Sequence, residues 1–232
     1  MGWDISLSAS KLNLFRECPS CFYAVNVLKI PRPDSIVASI TGGIDRTAKA
    51  YFDAYRGKVP TVLEGKVPGF LYQDLEKMKK MRHWKSGLKA EVEVHGIRVS
   101  IIGAIDDLLM SCPGYSPLDA KSKGDRPKDD GSKYYGIQSN IYGLLLDRNG
   151  MPPSGLSYFA YFWPVQMIHH NGGPSVWDVG CEVYALECSP EKAVQTIGDA
   201  VLIMKGERPQ LNQDCTYCKF VSAHMKGVAN GK

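Results

Sequence analysis

The sequence lacks any long apolar run, and no stretch reaches the about 18 consecutive apolar residues that a transmembrane helix needs. Its amino terminus lacks the basic-then-apolar order of a secretory signal peptide, and no internal repeat or low-complexity tract is present. These absences argue against a membrane or secreted protein, so we expect a cytoplasmic location. With 232 residues, 44% of them hydrophobic and 22% charged, the chain is long enough to form one globular domain over residues 1–232.

The chain also has little net charge. Its 28 Lys and Arg residues against 24 Asp and Glu residues leave a formal charge of +4. So small an excess permits a nucleic-acid partner without requiring one, because many proteins that never bind polyanions are equally basic. The distribution of charge along the chain is therefore more informative than its total.

Cysteine, by contrast, is plentiful, with seven residues in the chain. Without a secretory signal, this number argues against a disulfide framework and for metal ligands, especially where the spacing is C-x-x-C. Cys18 and Cys21 form one such pair, and Cys215 and Cys218 form another. Four thiolates suit either a tetrahedral Zn²⁺ ion or a 4Fe–4S cluster, so the spacing alone leaves both open.

The spacing of apolar residues predicts an alternation of helices and strands. Helices are predicted at residues 44–56, 133–148 and 190–206, and strands at 156–168 and 176–188. The full predicted order is two helices, three strands, a helix, two strands and a helix, with residues 212–224 ending the ordered chain. This order is typical of an α/β fold with a mixed central sheet flanked by helices.

Residues 101–123 gather charged side chains around a predicted hairpin. An apolar run ends on Asp106, a turn follows at residues 113–114, and a second short run presents Asp119 and Lys121. Antiparallel pairing around that turn places Asp106 opposite Lys121. Because opposed residues share a face and side chains alternate along a strand, all three side chains are expected on one side of the sheet. With the preceding strand, the hairpin is predicted to form a three-stranded meander.

Two carboxylates and an amine at one point have a chemical use. The carboxylates repel each other unless a cation lies between them, and hard oxygen ligands suit Mg²⁺ or Mn²⁺. A lysine beside such a metal can stabilise charge that develops on phosphate oxygens. The pattern therefore predicts a phosphodiester-cleaving site, and the alternative is a salt bridge on a solvated strand face.

Five short motifs occur in an order that is shared with a nuclease family. They are S-x-S-x-L-x-x-F-x-x-C-P from Ser8 to Pro19, G-x-I-D from Gly103 to Asp106, D-x-K from Asp119 to Lys121, Q-x-x-x-Y from Gln138 to Tyr142, and C-x-x-C at Cys215 and Cys218. On these motifs, the chain resembles the PD-(D/E)XK nucleases of the RecB and Cas4 type. The resemblance implies a restriction-endonuclease-like core whose termini are joined by a four-cysteine metal site.

The resemblance also implies a function and a set of site residues. The function would be a metal-dependent DNA nuclease that acts on single strands or duplex ends. Asp106 and Asp119 would ligate Mg²⁺ or Mn²⁺, with the backbone carbonyl of Ala120 as a third ligand. Lys121 would be the catalytic lysine.

Gln138 and Tyr142 are four residues apart and share one face of the predicted helix. The resemblance implies that they flank the site and hold the scissile strand or the metal-bound water. The alternative is a hydrogen bond between the two side chains on a helix that packs against the sheet.

The chain departs from the family on its first core helix, where many members have a metal-binding His and this sequence has none. Asp45 could supply a carboxylate there, or it could cap a helix that starts after Gly43. Glu91 and Glu93 could touch the metal or face solvent. For all three acids, we expect the structural role.

A second departure lies in the cysteines. Relatives with an iron–sulfur cluster use one amino-terminal Cys and three carboxy-terminal ones, and this chain has His224 at the place of the last. An extra thiol at Cys21 makes the expected quartet Cys18, Cys21, Cys215 and Cys218. The resemblance favours a 4Fe–4S cluster over Zn²⁺.

The partner implied by the resemblance is DNA, as single strands or duplex ends, and no membrane is implied. The alternative function is a catalytically inactive DNA-binding module, or a subunit that works with a helicase or with CRISPR adaptation proteins. A zinc-stabilised structural protein without a nucleic-acid role is a third hypothesis.

Overall fold

The computed structural model describes residues 5–33, 39–83, 87–169, 172–173 and 175–229, and over these residues the chain forms a mixed α/β fold. The helices are α1 (Ala9–Glu17), α2 (Pro19–Asn26), α3 (Ser39–Asp53), α4 (Leu75–Arg82), α5 (Ser132–Arg148), α6 (Pro190–Lys205) and α7 (Thr216–Ala229). The strands are β1 (Ile5–Leu7), β2 (Phe70–Leu71), β3 (Leu88–Val94), β4 (Ile97–Gly103), β5 (Asp107–Ser111), β6 (Gly114–Ser122), β7 (Leu156–Ile168) and β8 (Val176–Glu187). The predicted fold class, a mixed sheet flanked by helices, is confirmed.

The strands form two sheets. In the first, β4 lies between β1, to which it is parallel, and β3, to which it is antiparallel. In the second, the order is β2-β5-β6-β7-β8, and β6 runs parallel to β7. Because parallel neighbours need a crossover connection, the chain passes through α5 between them. Helix α5 contacts strands of both sheets and so lies at the centre of the fold.

The predicted meander requires one long strand where the structure has two, β4 and β5, which are separated by residues 104–106. Residues 104–106 carry the chain from the first sheet to the second. Ile105 in this link is fully buried, and its amide N–H donates to the carbonyl of Met81 at 3.1 Å. Nε of Arg82 donates to the carbonyl of Asp106 at 2.6 Å. The end of α4 thus binds backbone groups of the link that would otherwise pair within a sheet. Because β3 and β4 lie in one sheet and β5 and β6 in the other, the prediction of a three-stranded meander is wrong.

The hairpin of β5 and β6 also turns one residue earlier than predicted. Its last pair is Ser111 opposite Gly114, so the turn is centred on residues 112–113. In this register Asp106 lies before the first residue of β5. The predicted cross-strand pairing of Asp106 with Lys121 is therefore wrong, although both ends of the hairpin stay close together.

The apolar side chains form two main cores. The larger one lies between the first sheet and helices α1, α2, α5 and α6, and it includes the fully buried Leu12 and Phe22. The smaller one lies between α3 and the second sheet, where Phe52 packs near Leu118. Ile105 of the link at residues 104–106 belongs to the larger core, which holds the link in place.

Two helices differ in extent from the prediction. Helix α3 begins at Ser39 rather than at residue 44, so part of the segment before it is helical. Helix α7 continues to Ala229, past residue 224 where the ordered chain was expected to end. In the part of the chain that the structure describes, no helix has both the length and the apolar character of a membrane span.

A buried ion-pair network fixes the start of β5. Asp107 is 1% exposed, and its two oxygens accept from both terminal nitrogens of Arg56 at 2.8 and 2.5 Å. Nη2 of Arg82 donates to the same carboxylate at 2.8 Å, and Nη1 donates to Asp53 at 2.9 Å. A buried carboxylate with two guanidinium partners is compensated, whereas its removal would leave two poorly solvated cations facing each other.

We expect Asp107→Ala to lower the free energy of unfolding by about 3–5 kcal/mol, because it removes the common partner of two nearly buried arginines. The neighbouring Asp106→Ala should cost less than about 1 kcal/mol, because the Asp106 side chain is partly exposed. Urea denaturation followed by circular dichroism measures both. Equal losses in the two variants would contradict the assignment of the network.

Candidate functional site

The predicted site residues lie on three elements that meet beside a cleft. They are Asp119, Ala120 and Lys121 on β6, Gln138 and Tyr142 on α5, and Asp106 in the link between β4 and β5. Because α5 follows β6 and crosses back over the fold, its inner face returns to the residues at the end of that strand. We call this set, together with its charged neighbours on α3, the acid group.

Asp119 is the centre of the acid group and is 1% exposed. Its Oδ1 accepts hydrogen bonds from Nε2 of Gln138 at 2.8 Å and from the hydroxyl of Tyr142 at 3.3 Å. Its Oδ2 lies 2.5 Å from Nζ of Lys121, but no described donor reaches this oxygen with hydrogen-bond geometry. One oxygen of the buried carboxylate is therefore satisfied by α5, and the other has only an ionic contact.

Gln138 connects the lysine and the tyrosine to this carboxylate. Its Nε2 lies 2.5 Å from the hydroxyl oxygen of Tyr142, and its Oε1 accepts from Nζ of Lys121 at 3.5 Å. The mutual hydrogen bond expected as the alternative is present, and both side chains also bind Asp119. Their contact with a scissile strand or a metal-bound water stays a prediction.

Asp106 reaches the acid group from the link and pairs with a lysine of α3. Its Oδ1 lies 2.8 Å from Nζ of Lys49, and the same ammonium lies 2.9 Å from Oδ2 of Asp45. Lys49 therefore bridges two carboxylates that come from different elements. Both members of the Asp106 pair remain partly accessible, at 21% and 25% of the side chain.

Lys49 is not predictable from the sequence pattern. The D-x-x-x-K spacing of Asp45 and Lys49 indicates an ordinary pair on one helix face. It does not reveal that Asp106 lies beside that pair in the fold. Because α3 begins at Ser39, Asp45 lies inside the helix, and the expectation that it caps the helix is wrong.

Glu91 and Glu93 are both exposed on β3, whose alternation buries Ala90 and Val92 instead. This strand is the edge of the first sheet. The expected solvent-facing role of these two glutamates is confirmed.

The charges of the acid group influence one another. Burial raises the pKa of the Asp119 carboxyl to about 6, while the Lys121 ammonium opposes this rise and the Asp106 carboxylate adds to it. Burial lowers the pKa of Lys121, but Asp119 and Asp106 more than offset this effect, so its pKa is raised overall. Burial, followed by the charges of Asp119 and Asp106, raises the pKa of Tyr142 well above its ordinary value. At neutral pH the lysine is therefore charged and the phenol is a neutral donor.

The balance of charge in the acid group suits one more cation. Its carboxylates are those of Asp45, Asp106 and Asp119, and its ammonium ions are those of Lys49 and Lys121. The acids thus exceed the amines, and the buried Oδ2 of Asp119 accepts no hydrogen bond from the described residues. Oxygen donors of this kind fit a hard divalent ion such as Mg²⁺ or Mn²⁺.

A cleft of about 790 Å³ opens onto the acid group. Lys121, Gln138 and Tyr142 line it on one side, and residues 6–11, at the start of α1, line it on the other. The lysine and the tyrosine can therefore be reached by an extended ligand.

The four predicted cysteines form a second group, which we call the cysteine group. Cys18 and Cys21 lie at the start of α2, and Cys215 and Cys218 at the start of α7. The Sγ atoms of Cys18 and Cys218 are 3.6 Å apart, and that of Cys21 lies 3.7 Å from those of Cys215 and Cys218. All four sulfurs are buried and lie within 4.8 Å of one another. The group could hold a metal ion, and it links the N- and C-terminal regions as predicted.

Two positive groups lie beside these sulfurs. Cys18 is the N-cap of α2, where its Sγ accepts from the amide of Cys21 at 3.4 Å, and the positive ends of helix dipoles favour thiolates. Nη2 of Arg32 lies 3.5 Å from Sγ of Cys215, and its guanidinium lies 4.4 Å from the ring centroid of Tyr217. Arg32 is a member of this site that the cysteine spacing does not predict.

The remaining candidates lie outside the cysteine group. His224, at the place of the family's last cysteine, is exposed on α7 and stacks on Phe220 with ring centroids 6.2 Å apart. Cys112, Cys181 and Cys188 do not join the group either, and Cys188 is buried against α5.

Comparison with known proteins yields little. A scan of protein families finds no match to this chain, and a search of curated proteins finds none either. Among solved structures, a match titled "Crystal structure of SSO0001" covers 96% of this chain and 87% of that chain, with 13% sequence identity and a TM-score of 0.49. At these values the likeness establishes neither the fold nor the function of this chain.

We expect the apparent affinity of the acid group for Mn²⁺ to fall about tenfold per pH unit once the pH drops below about 6, because the ion must displace the proton that Asp119 holds there. The raised pKa means that this carboxyl stays protonated to higher pH than an ordinary aspartate. Isothermal titration calorimetry over a range of about pH 5 to 8 measures the effect. Glu91→Gln is the control and should give the wild-type profile. An affinity that declines only near pH 4, as for an exposed aspartate, would contradict the expectation.

Proposed function

We propose that this chain is a divalent-metal-dependent deoxyribonuclease of the PD-(D/E)XK type, which hydrolyses phosphodiester bonds in single strands or at duplex ends. The observation that carries the proposal is the contact of the buried Asp119 with Lys121 at an open cleft, with the Asp106 carboxylate close enough to raise the pKa of Asp119. A solvated salt bridge does not account for it, because Asp119 is almost fully buried and also accepts hydrogen bonds from Gln138 and Tyr142. The order of the five sequence motifs supports the same assignment.

Asp106 and Asp119 would hold the cation, together with the backbone carbonyl of Ala120. A bound Mg²⁺ or Mn²⁺ generates a nucleophile from water at neutral pH and polarises the scissile phosphate. Lys121 keeps its charge because of Asp119, and at the cleft it binds a non-bridging phosphate oxygen and stabilises the charge that develops there.

Gln138 and Tyr142 are positioning residues in this proposal. Their hydrogen bonds to Oδ1 of Asp119 fix the orientation of the carboxylate and would leave Oδ2, which contacts Lys121, as the oxygen for a cation. Gln138 also restrains the Lys121 ammonium at 3.5 Å. Substrate would enter between these side chains and the start of α1.

One observation favours the alternative, a DNA-binding module that works with a helicase or with CRISPR adaptation proteins. Lys49 lies between Asp45 and Asp106, in the region where relatives carry a metal-binding His. A fixed ammonium can neutralise these acids without any hydrolysis. The two functions differ in whether a divalent ion displaces Lys49 from Asp106.

We expect Asp119→Asn and Lys121→Met each to reduce Mn²⁺-dependent cleavage of labelled single-stranded DNA by about 100-fold or more, because the first weakens binding of the cation and the second removes an ammonium beside the reacting phosphate. Lys89→Met, which changes an exposed lysine on β3, is the matched control and should cut at the wild-type rate. Cleavage products resolved on a denaturing gel, with Mg²⁺ and with Mn²⁺, measure the rates.

Circular dichroism of the same variants establishes that they are folded. Wild-type cleavage rates in both Asp119→Asn and Lys121→Met would refute the nuclease assignment. DNA binding in EDTA without cutting by the wild-type protein in either metal would instead support the binding module.

For the cysteine group, we propose a single tetrahedral Zn²⁺ ion. A Zn–S bond of about 2.3 Å in a regular tetrahedron puts the sulfurs about 3.8 Å apart. Three Sγ pairs here lie at 3.6–3.7 Å. In a 4Fe–4S cluster each thiolate binds a different iron, so the four sulfurs surround a larger object than one ion. The spacing therefore favours zinc, although the family resemblance favours iron and sulfur. Such thiols stay available in the reducing cytoplasm, where we place the protein.

We expect anaerobically purified protein to be colourless and to carry about one zinc per chain. Cys218→Ser should lose the metal and unfold at a lower temperature, because the ion joins the two ends of the fold. Elemental analysis and a visible spectrum measure metal content, and Cys112→Ser, which changes an exposed cysteine, is the control. A brown protein with about four irons and matching sulfide would refute zinc without affecting the nuclease proposal.

A further inference from the structure

A second pocket, of about 430 Å³, lies next to the cleft of the acid group. Lys11 on α1, Lys29 after α2 and Lys205 at the end of α6 all line it, and none of its lining residues is acidic. Among the ion pairs of the described residues, none involves these three lysines. We call this feature the lysine pocket. Three ammonium groups around one cavity without a carboxylate attract an anion.

Two of these ammonium groups are held in place by backbone carbonyls. Nζ of Lys11 donates to the carbonyl of Ser6 at 2.8 Å, and Nζ of Lys29 donates to that of Asn26 at 2.7 Å. Each ammonium has three N–H groups, so donors remain for a ligand. Burial lowers the pKa of Lys11, and repulsion from Lys29 lowers it further; a bound anion would offset both effects.

The lysine pocket and the cleft of the acid group adjoin each other. Ser6 and Lys11 line both of them, and the cleft extends to Lys121, Gln138 and Tyr142. Between the two ends lies the first turn of α1, which contains no acidic residue. The unpaired amide N–H groups of a helix start favour negative charge, so this turn offers a phosphate partial positive charge and no repelling side chain.

We propose that the sugar–phosphate backbone of a single DNA strand follows this path, from the acid group past the start of α1 and into the lysine pocket. The inference rests on the proposed nuclease function and adds the route of the substrate strand. The carboxylates of the acid group repel phosphates, so a polyanionic substrate needs to be anchored outside that group. The lysine pocket supplies such an anchor and adjoins the cleft of the acid group, which distinguishes a strand from an acidic peptide bound elsewhere.

The test replaces Lys11, Lys29 and Lys205 with Gln and measures binding of a fluorescein-labelled oligodeoxythymidine by anisotropy in EDTA at several KCl concentrations. For single strands, the slope of log Kobs against log salt is negative, and each lost phosphate contact makes it less steep by about 0.7. The slope of the triple variant should therefore be less steep than that of the wild type by about 2. Affinity at low salt should fall about tenfold or more. The matched control changes Lys77, Lys79 and Lys80, three exposed lysines of α4, to Gln and removes the same total charge.

We call the Lys11, Lys29 and Lys205 triple variant the pocket variant and the control the α4 variant. The proposed route would be overturned if the pocket variant kept the wild-type salt slope, or if the α4 variant lost as much of the slope as the pocket variant. Competition by polyglutamate as strong as that by DNA would also overturn it, because the pocket would then be a general anion site, and full competition by inorganic phosphate would reduce it to a phosphate site. Lys205→Gln alone, at an exposed helix end, should make the slope less steep by about 0.7 even if the triple variant folds poorly.

The same assay separates the two proposals. Asp119→Asn should keep the wild-type salt slope while losing cleavage, because it changes the acid group and not the lysine pocket. If the pocket variant keeps the wild-type slope, the strand route is wrong, but the nuclease assignment is not affected. If the pocket variant binds DNA weakly and the wild-type protein does not cut DNA, the strand route is supported for a DNA-binding module and the nuclease function is refuted.

Discussion

The burial of one carboxylate constrains the rest of this structure. Asp119 lies on β6 with 1% exposure, where an ionised acid is costly unless it is paired and hydrogen-bonded. The parallel pairing of β6 with β7 requires a crossover, and the crossover helix supplies Gln138 and Tyr142 as donors to one oxygen. Lys121 supplies charge to the other. The strand order of the second sheet and the chemistry of the acid group therefore depend on each other.

Two adjacent aspartates have different environments. Asp107 is buried and saturated by Arg56 and Arg82, so it fixes the start of β5 and has no free oxygen for a ligand. Asp106 is one residue earlier, in the link between the sheets, where its side chain pairs with Lys49 and stays partly exposed. The break of the strand at this point frees Asp106 from ladder pairing. Without it, the two acids would point to opposite faces of one strand.

Much of the fold could be predicted from the sequence, because the spacing of apolar residues indicates which face of a helix or strand is buried. The helix at residues 133–148 and the strands at 156–168 and 176–188 match α5, β7 and β8 closely, and the four cysteines meet as their spacing indicates. The break at residues 104–106 could not be predicted, because a link whose Ile105 is buried reads as a continuous apolar strand. The role of Lys49 was equally hidden, since it depends on how α3 lies against the link.

The cysteine group and the acid group are mechanically connected through α1. Cys18 ends this helix, and its amide donates to the carbonyl of Leu14 at 2.9 Å, while its sulfur belongs to the cysteine group. The same helix begins at the cleft and carries Lys11 on its first turn. An ion that fixes Cys18 therefore also fixes the position of Lys11 relative to Lys121. The cysteine group joins the N- and C-terminal regions of the chain. By fixing α1, it also determines the path between Lys11 and Lys121.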